Sequence, residues 1–182
     1  MKADLHNHSY YSDGLLSPSE VVRLASKASC DLFSLTDHDT TDGIAEAKLE
    51  ADKVGLNLIN GVEISAFWRN MDIHILGHGI DINNDILQTG LEHNQKLRKE
   101  RAEKIALSLW RSGIKDALEK TQSFSKTDML TRTHFAQMLI SEGYCKDMKA
   151  VFRRYLTGKK PGGVSVEWKG FDQVVHWIHS IL

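Results

Sequence analysis

Four short apolar runs, each followed by polar residues, occur in the first 80 residues of the chain. Runs of this length are typical of buried strands. They predict strands at Ala3–His8, Leu32–Leu35, Leu56–Ile64 and Ile73–Leu76. Amphipathic stretches separate the first three runs, and strands that alternate with helices favour parallel β-α units.

The helices predicted between these strands have recognisable ends. Ser-Pro-Ser-Glu at 17–20 has the form of a capping box with proline in the first turn, so a helix begins there. A second helix is expected to be capped by Thr41 or Asp42 and to run to about Val54, where Gly55 ends it.

The pattern becomes helical after Ile80. It predicts a long helix over 86–110, shorter helices at Thr133–Glu142 and Met148–Leu156, a strand at Val164–Val166 and an amphipathic helix over 171–182. We therefore expect an α/β protein in three segments: an N-terminal part at 1–84, a helical insertion or cap at 85–156, and a return to the first part at 157–182.

Composition is that of a globular protein, with 182 residues, 41% hydrophobic and 26% charged. A membrane span needs about 18 consecutive apolar residues, which this sequence lacks, and the N-terminus does not resemble a signal peptide. Cys30 and Cys145 are far apart and fit no metal or redox spacing. We expect a reduced, cytoplasmic protein with no membrane partner.

Charge is unevenly distributed, although the net charge is only −1. Residues 1–80 contain 6 Lys/Arg against 12 Asp/Glu, whereas 81–182 contain 17 against 12. This asymmetry weakly favours cation binding in the first part and an anionic ligand near the second. Five basic residues are expected to form a solvated helix face, supported by Glu100 and Glu103: Lys96, Arg98, Lys99, Arg101 and Lys104.

Ionisable side chains cluster where the predicted strands end. His6 and His8, at i and i+2, lie on one side of an extended segment, as converging metal ligands often do. Burying several such groups without partners costs several kcal/mol each, so metal binding is the economical explanation. The candidate ligands are His6, His8, Asp13, His38, Glu63 and His74.

The absence of cysteine among these residues argues against a closed structural zinc site with thiolate ligands. Imidazole ligands favour Zn, Fe or Mn over Mg or Ca. Six ligands suit two or more ions bridged by a carboxylate such as Glu63, a cluster that can clamp a phosphoryl group. Other residues are read as ordinary core or surface histidines and as turn or capping aspartates: His78, His93, His176, His179, Asp4 and Asp39.

Five blocks stand in a fixed order: Asp-Leu-His-Asn-His-Ser (4–9), Ser-Asp-Gly (12–14), Leu-Thr-Asp-His-Asp-Thr (35–40), Gly-Val-Glu-Ile-Ser (61–65) and His-Ile-Leu-Gly (74–77). Together they resemble the polymerase and histidinol phosphatase (PHP) family of metal-dependent phosphoesterases. Leu-Thr-Arg-Thr-His-Phe-Ala (130–136) and Val-Phe-Arg-Arg-Tyr-Leu (151–156) are similar to the TrpH-like branch of nucleoside 3′,5′-bisphosphate phosphatases and 5′-to-3′ exoribonucleases. The resemblance implies a distorted (β/α)7 barrel with a helical insertion.

The resemblance also implies roles for the candidate ligands. His6 and His8 hold one metal, Glu63 bridges it to a second that His74 also binds, and Asp13 and His38 hold a third. Asp37 is expected to fix the tautomer of the His38 imidazole without binding metal itself. The expected ions are two or three of Mn, Zn or Fe, and the expected attacking group is a metal-activated hydroxide.

Members of the family continue beyond the last predicted helix with an Ala-His-Pro block and a Ser-Asp-x-His block that supply further ligands. Neither block occurs in this sequence. We therefore expect a C-terminally truncated member with an incomplete barrel, whose open edge invites self-association.

The expected activity is hydrolysis of a phosphomonoester of a small nucleotide, such as a nucleoside 3′,5′-bisphosphate or AMP. Arg132 and His134, in the insertion, are the candidate substrate-binding residues, since arginine can form a bidentate contact with phosphate. Two alternatives stay open: a 5′-to-3′ exonuclease on short RNA, and an inactive PHP module.

Overall fold

The computed structural model describes residues 1–179 and divides the chain into two compact units. The first unit consists of Met1–Gln95 together with Trp168–Leu182, and the second is Lys96–Glu167. No helix within the described residues is both long and apolar enough to cross a membrane.

A four-stranded sheet organises the first unit. Its strands are β1 (Ala3–Asp4), β2 (Leu32–Leu35), β3 (Asn57–Trp68) and β4 (Met71–His78), in the order β1-β2-β3-β4. The first three are parallel, as predicted, but β4 runs antiparallel to β3. Consecutive parallel β-α units therefore stop at β3, and His74 lies within the antiparallel strand β4 and not where a strand ends, as predicted for the candidate ligands.

The reversal between β3 and β4 takes only two residues. Arg69 and Asn70 have φ values of 46° and 64°, the left-handed backbone that two-residue hairpin turns require. β3 and β4 remain paired from Gly61 opposite His78 to Trp68 opposite Met71. The hairpin therefore places residues of β4 directly beside Glu63.

Helices α1 (Pro18–Lys27), α2 (Ile44–Val54) and α7 (Phe171–His179) belong to the first unit, as does α3 (Asp85–Arg111) up to Gln95. The capping box of α1 is present as predicted. The capping prediction for α2 is wrong, because Gly43 occupies the cap position and no side chain bonds there. Tyr11, Pro18 and Leu35 lie close to Gly43 and leave little room for a side chain.

The core of the first unit lies on one face of the sheet. Phe33 and Leu35 of β2 pack with residues of α1 and α2. Val62, Ile64 and Ala66 of β3 cluster with Leu87 and Leu91 of α3 and with Val174 and Trp177 of α7. Because successive side chains of a strand point to opposite faces, Glu63 and Ser65 lie on the face away from this core.

The second unit is helical. It contains the rest of α3, then α4 (Ala117–Gln122), α5 (Arg132–Ser141) and α6 (Met148–Val151), which continues as a π-helical turn at Phe152–Leu156. Its core includes Ile105, Leu109, Phe135, Leu139 and Val151.

Three details of the second unit differ from expectation. No strand forms at Val164–Val166, and α4 had no sequence signal strong enough to predict it. Arg98 and Arg101 are only 3% and 6% exposed, so the predicted solvated basic face is wrong at these two positions. Helical periodicity alone cannot show that a charged side chain is covered by residues distant in sequence.

Candidate metal centre

The segment carrying His6 and His8 lies beyond β1, which is shorter than predicted. It is attached to the end of β2 through Asn7. The backbone N–H of Asn7 donates to Oγ1 of Thr36 (3.1 Å), and the backbone N–H of Thr36 donates to the Asn7 carbonyl (2.9 Å). These bonds hold the segment extended, so the two imidazoles lie on the same side.

The loop after His8 is built around the buried carboxylate of Asp37. The backbone N–H and hydroxyl of Ser9 donate to it over 2.7 and 2.6 Å, and the hydroxyl of Ser12 donates over 2.6 Å. Gly14 closes the loop where a Cβ atom would overlap the His8 carbonyl. Asp13 is thereby held between Ser12, which bonds Asp37, and Gly14, which lies against the His8 carbonyl.

Asp37 was predicted to support the imidazole of His38. Among the described residues, its hydrogen bonds instead run to Ser9 and Ser12. Burial raises the pKa of Asp37, and the bonds from both serines oppose that rise. In this structure the carboxylate organises the loop that carries Asp13.

Asp39 continues the polar arrangement beyond His38. Its backbone N–H donates to the Glu63 carbonyl (2.8 Å), and its buried carboxylate accepts from the backbone N–H and hydroxyl of Ser65 and the amide of Asn94, each over 2.8 Å. Sequence reasoning assigned Asp39 to a turn or cap and missed Ser65 and Asn94. The Asp-His-Asp triplet was the one available signal, and it does not identify the distant partners.

Glu63 is the centre of the cluster, with a side chain only 6% exposed. Its Oε2 lies 2.9 Å from Nε2 of His6, 3.1 Å from Nε2 of His8 and 3.3 Å from Nδ1 of His38. Its Oε1 lies 2.7 Å from Nδ1 of His74. One carboxylate therefore faces four imidazoles.

Asp13 is a second carboxylate at the opposite side of two of these rings. Its oxygens lie 3.7 Å from Nδ1 of His8 and 3.9 Å from Nε2 of His38. His8 and His38 thus direct one ring nitrogen to Glu63 and the other to Asp13. The structure brings all six predicted ligands into one continuous cluster.

The donor atoms fall into three groups: His6, His8 and Glu63; His8, Asp13 and His38; His38, Glu63 and His74. Within each group they lie within 4.8 Å of one another. Imidazole nitrogens and carboxylate oxygens at this spacing fit divalent transition metals. The residues present therefore suit a centre of more than one ion.

The charges of the cluster depend on one another. Burial acts to raise the pKa of Glu63, but hydrogen bonds from His74 and His8 and the charge of His38 outweigh it and hold that pKa well below its usual range. Burial acts to lower the pKa of His8, but the hydrogen bond to Glu63 and the charge of Asp13 raise it above its ordinary value. The carboxylate of Glu63 and the imidazole of His8 thus each favour the charged form of the other.

His78 lies outside these donor groups. Its Nδ1 is 3.2 Å from the hydroxyl of Ser34, and burial together with the charge of His6 lowers its pKa. Its interpretation as an ordinary histidine stays a prediction.

The predicted substrate residues lie in the second unit, at the start of α5. Nδ1 of His134 accepts the backbone N–H of Thr131 over 3.1 Å and caps that helix. Nη2 of Arg132 donates to the carbonyl of Val164 over 2.6 Å. Each side chain thus has a hydrogen-bond partner within the protein.

The family model of the PHP domain matches residues 4–169 of the chain. The chain belongs to the PHP family. The predicted α/β fold is confirmed by the solved structure of an amidohydrolase from Chromobacterium violaceum with bound sulfate and no metal, which is 41% identical. It superposes with a TM-score of 0.95 over 99% of this chain and 64% of that one.

Two curated PHP relatives are similar over nearly the whole chain. A 3′,5′-nucleoside bisphosphate phosphatase of Chromobacterium violaceum is 43% identical over 96% of this chain and 62% of its own length. The 5′-3′ exoribonuclease Rnm of Escherichia coli is 40% identical over 97% of this chain and 61% of its own length. The chain thus spans about three fifths of the length of these relatives.

Proposed function

We propose that this PHP protein is a metal-dependent phosphoesterase, a hydrolase that releases phosphate from a small nucleotide such as a nucleoside 3′,5′-bisphosphate or AMP. The observation that carries the proposal is the cluster of four imidazoles around Glu63, joined through His8 and His38 to Asp13. The similarity to a nucleoside bisphosphate phosphatase supports the substrate class. The sulfate of the similar amidohydrolase supports binding of a tetrahedral anion.

The proposed ions are two or three of Mn, Zn or Fe. His6 and His8 would hold one with Glu63, His74 would hold another with Glu63, and Asp13 and His38 would hold a third. Ions held there would supply an activated water and neutralise the charge of phosphoryl oxygens.

The side chains of the protein have separate tasks in this proposal. Glu63 keeps its negative charge, because its pKa is held low, and so remains a ligand in mildly acidic solution. Asp37 holds the loop of Asp13 in place through Ser9 and Ser12. Arg132 and His134 are proposed to contact the substrate phosphate.

Phosphate release from adenosine 3′,5′-bisphosphate with added Mn²⁺ tests the proposal. We expect release by the wild-type chain and its loss in His74→Ala. His93→Ala is the matched control, because His93 is a half-buried histidine of the same unit that lies outside the three donor groups. Full activity of His74→Ala would refute the ligand assignment.

A second candidate is 5′-to-3′ exonuclease activity on short RNA. The Rnm relative, 40% identical, favours it specifically. The same centre would serve both reactions, so the substrate distinguishes them. Trimming of a 5′-phosphorylated tetranucleotide in preference to the mononucleotide would favour the exonuclease.

A third candidate is a PHP module without catalytic activity. Elemental analysis of the purified chain separates it from the other two: two or three ions per chain favour an active centre, and none favours the inactive module.

We further propose a cytoplasmic location and self-association of the chain. Light scattering after size-exclusion chromatography tests the self-association.

A further inference from the structure

We infer that Phe67 forms the surface on which the nucleobase of the substrate stacks. The inference rests on the proposed function, because it requires a nucleotide substrate. It applies equally to a mononucleotide and to the terminal residue of a short RNA, since both present a base beside the reacting phosphate.

The register of β3 places Phe67 on the face that carries the metal centre. Val62, Ile64 and Ala66 are fully buried in the core, so the residues that alternate with them point to the opposite face. Those residues are Glu63, Ser65 and Phe67. The aromatic ring therefore lies on the same face as the central carboxylate, four residues further along the strand.

Pairing with β4 places Phe67 close to a predicted ligand. His74 is opposite Ser65, and Asp72 is opposite Phe67. His74 and Phe67 are thus diagonal neighbours on one face, with Cβ atoms about 7 Å apart. Phe67 therefore lies beside a candidate ligand, on the face that carries the centre.

The exposure of Phe67 is unusual for its position. It is 39% exposed and directly follows six buried residues, Gly61–Ala66. Its backbone N–H donates to the carbonyl of Lys169 (2.9 Å), which fixes the strand at this point. A firmly held backbone with an exposed ring is what base stacking requires, and stacking accepts any base.

The next residue provides an internal comparison. Trp68 is similarly exposed, at 41%, but lies on the other face of the sheet. The guanidinium of Arg69 lies 4.4 Å from its ring centroid, and the ring of Phe171 is 6.3 Å away. Within the described residues, Phe67 has no such aromatic or cationic partner.

The experiment measures affinity, so that it does not depend on turnover. Calorimetry compares adenosine 3′,5′-bisphosphate with its base-free analogue, 1-deoxyribofuranose 3,5-bisphosphate, without added metal, so that neither ligand is hydrolysed during the titration. Phe67→Leu keeps an apolar side chain of similar size but removes the ring. Phe67→Trp keeps a ring, and Trp68→Leu removes a similarly exposed ring from the other face.

We expect Phe67→Leu to weaken nucleotide binding on the order of 10-fold, with unchanged binding of the base-free analogue. Phe67→Trp and Trp68→Leu should bind the nucleotide as the wild type does. An unchanged nucleotide affinity in Phe67→Leu, equal losses for both ligands, or an equal loss in Trp68→Leu would overturn the inference. If the wild type binds both ligands equally well, the protein does not recognise the base and the inference fails. Absence of phosphate release, by itself, counts only against the proposed activity.

Discussion

Oε1 of Glu63 lies 2.7 Å from Nδ1 of His74, across the antiparallel pair formed by β3 and β4. The two residues are not direct partners in the register, because His74 is opposite Ser65 and Leu76 is opposite Glu63. They meet diagonally on the face away from the core. The hairpin, and not a fourth parallel strand, therefore completes the group of imidazoles around Glu63.

Replacing His74 with alanine is expected to remove one metal-binding position while the fold persists, since its side chain is 45% exposed. Loss of a directly coordinating group should lower activity at least 100-fold, by about 3 kcal/mol or more of transition-state stabilisation. Elemental analysis and phosphate release measure the two effects. His93→Ala should retain both the metal content and the activity, and a loss in that variant would indicate a general effect of removing histidines.

Metal binding should weaken as the pH falls, because imidazoles bind metals only when they are deprotonated. The pKa of His8 is raised above 6.5 in the metal-free protein, so competition from protons begins at a higher pH than for an ordinary histidine. Apparent affinity is expected to fall about tenfold per pH unit for each proton displaced. Calorimetry in buffers of different ionisation enthalpy counts these protons.

Near neutrality, the free energy of unfolding of the metal-free protein should fall as the pH rises. Because the folded-state pKa of His8 is raised, its contribution to stability is fully present below 6.5 and is lost as the pH rises through the raised value. The lowered pKa of Glu63 gives a contribution that is present above about 4.5 and lost only in strong acid. Urea unfolding of the metal-free chain at pH 6 and pH 8 should show the loss, and a steady gain in stability across this range would contradict it.

The local part of the site could be predicted from the sequence. His6 and His8 share one side because they are two residues apart in an extended segment. His38 follows a recognisable apolar run, and Glu63 lies near the end of another. These relationships depend on backbone periodicity and on the alignment of parallel strands, which short sequence patterns reveal. The structure brings the six candidate residues together, and their role as metal ligands stays a prediction.

The remaining features depend on contacts between residues far apart in the chain. The turn at Arg69 and Asn70 contains no glycine, which hairpin turns of this kind often have, so the reversal gave little signal. Asn94 is 55 residues from Asp39, to which it donates. The burial of Arg98 likewise depends on tertiary packing, which helical periodicity does not indicate.

Replacing Gly14 with alanine should destabilise the loop that carries Asp13. The added Cβ would overlap the carbonyl of His8, which is backbone and cannot move aside independently. We expect a loss of about 1–3 kcal/mol in the free energy of unfolding, together with weaker metal binding. Gly170→Ala is the control, because no atom lies within 4 Å of a Cβ at that position; equal effects in both variants would refute the steric explanation.

The carboxylate of Asp39 should stabilise the fold and position the centre without binding metal. In Asp39→Ala, three donors from Ser65 and Asn94 lose their acceptor in a buried environment, and alanine must adopt the positive φ of 50°. We expect a loss of about 3 kcal/mol in the free energy of unfolding, measured by urea denaturation. Asp39→Asn, which retains an acceptor oxygen and tolerates that backbone conformation, should lose less, and Asp42→Ala, at an exposed neighbouring position, should be nearly neutral.

The backbone N–H of Asp39 also bonds the Glu63 carbonyl, so a disturbed backbone at Asp39 should also affect the centre. Calorimetry should show weaker Mn²⁺ binding in Asp39→Ala at unchanged stoichiometry. Loss of a whole ion would instead make Asp39 a ligand.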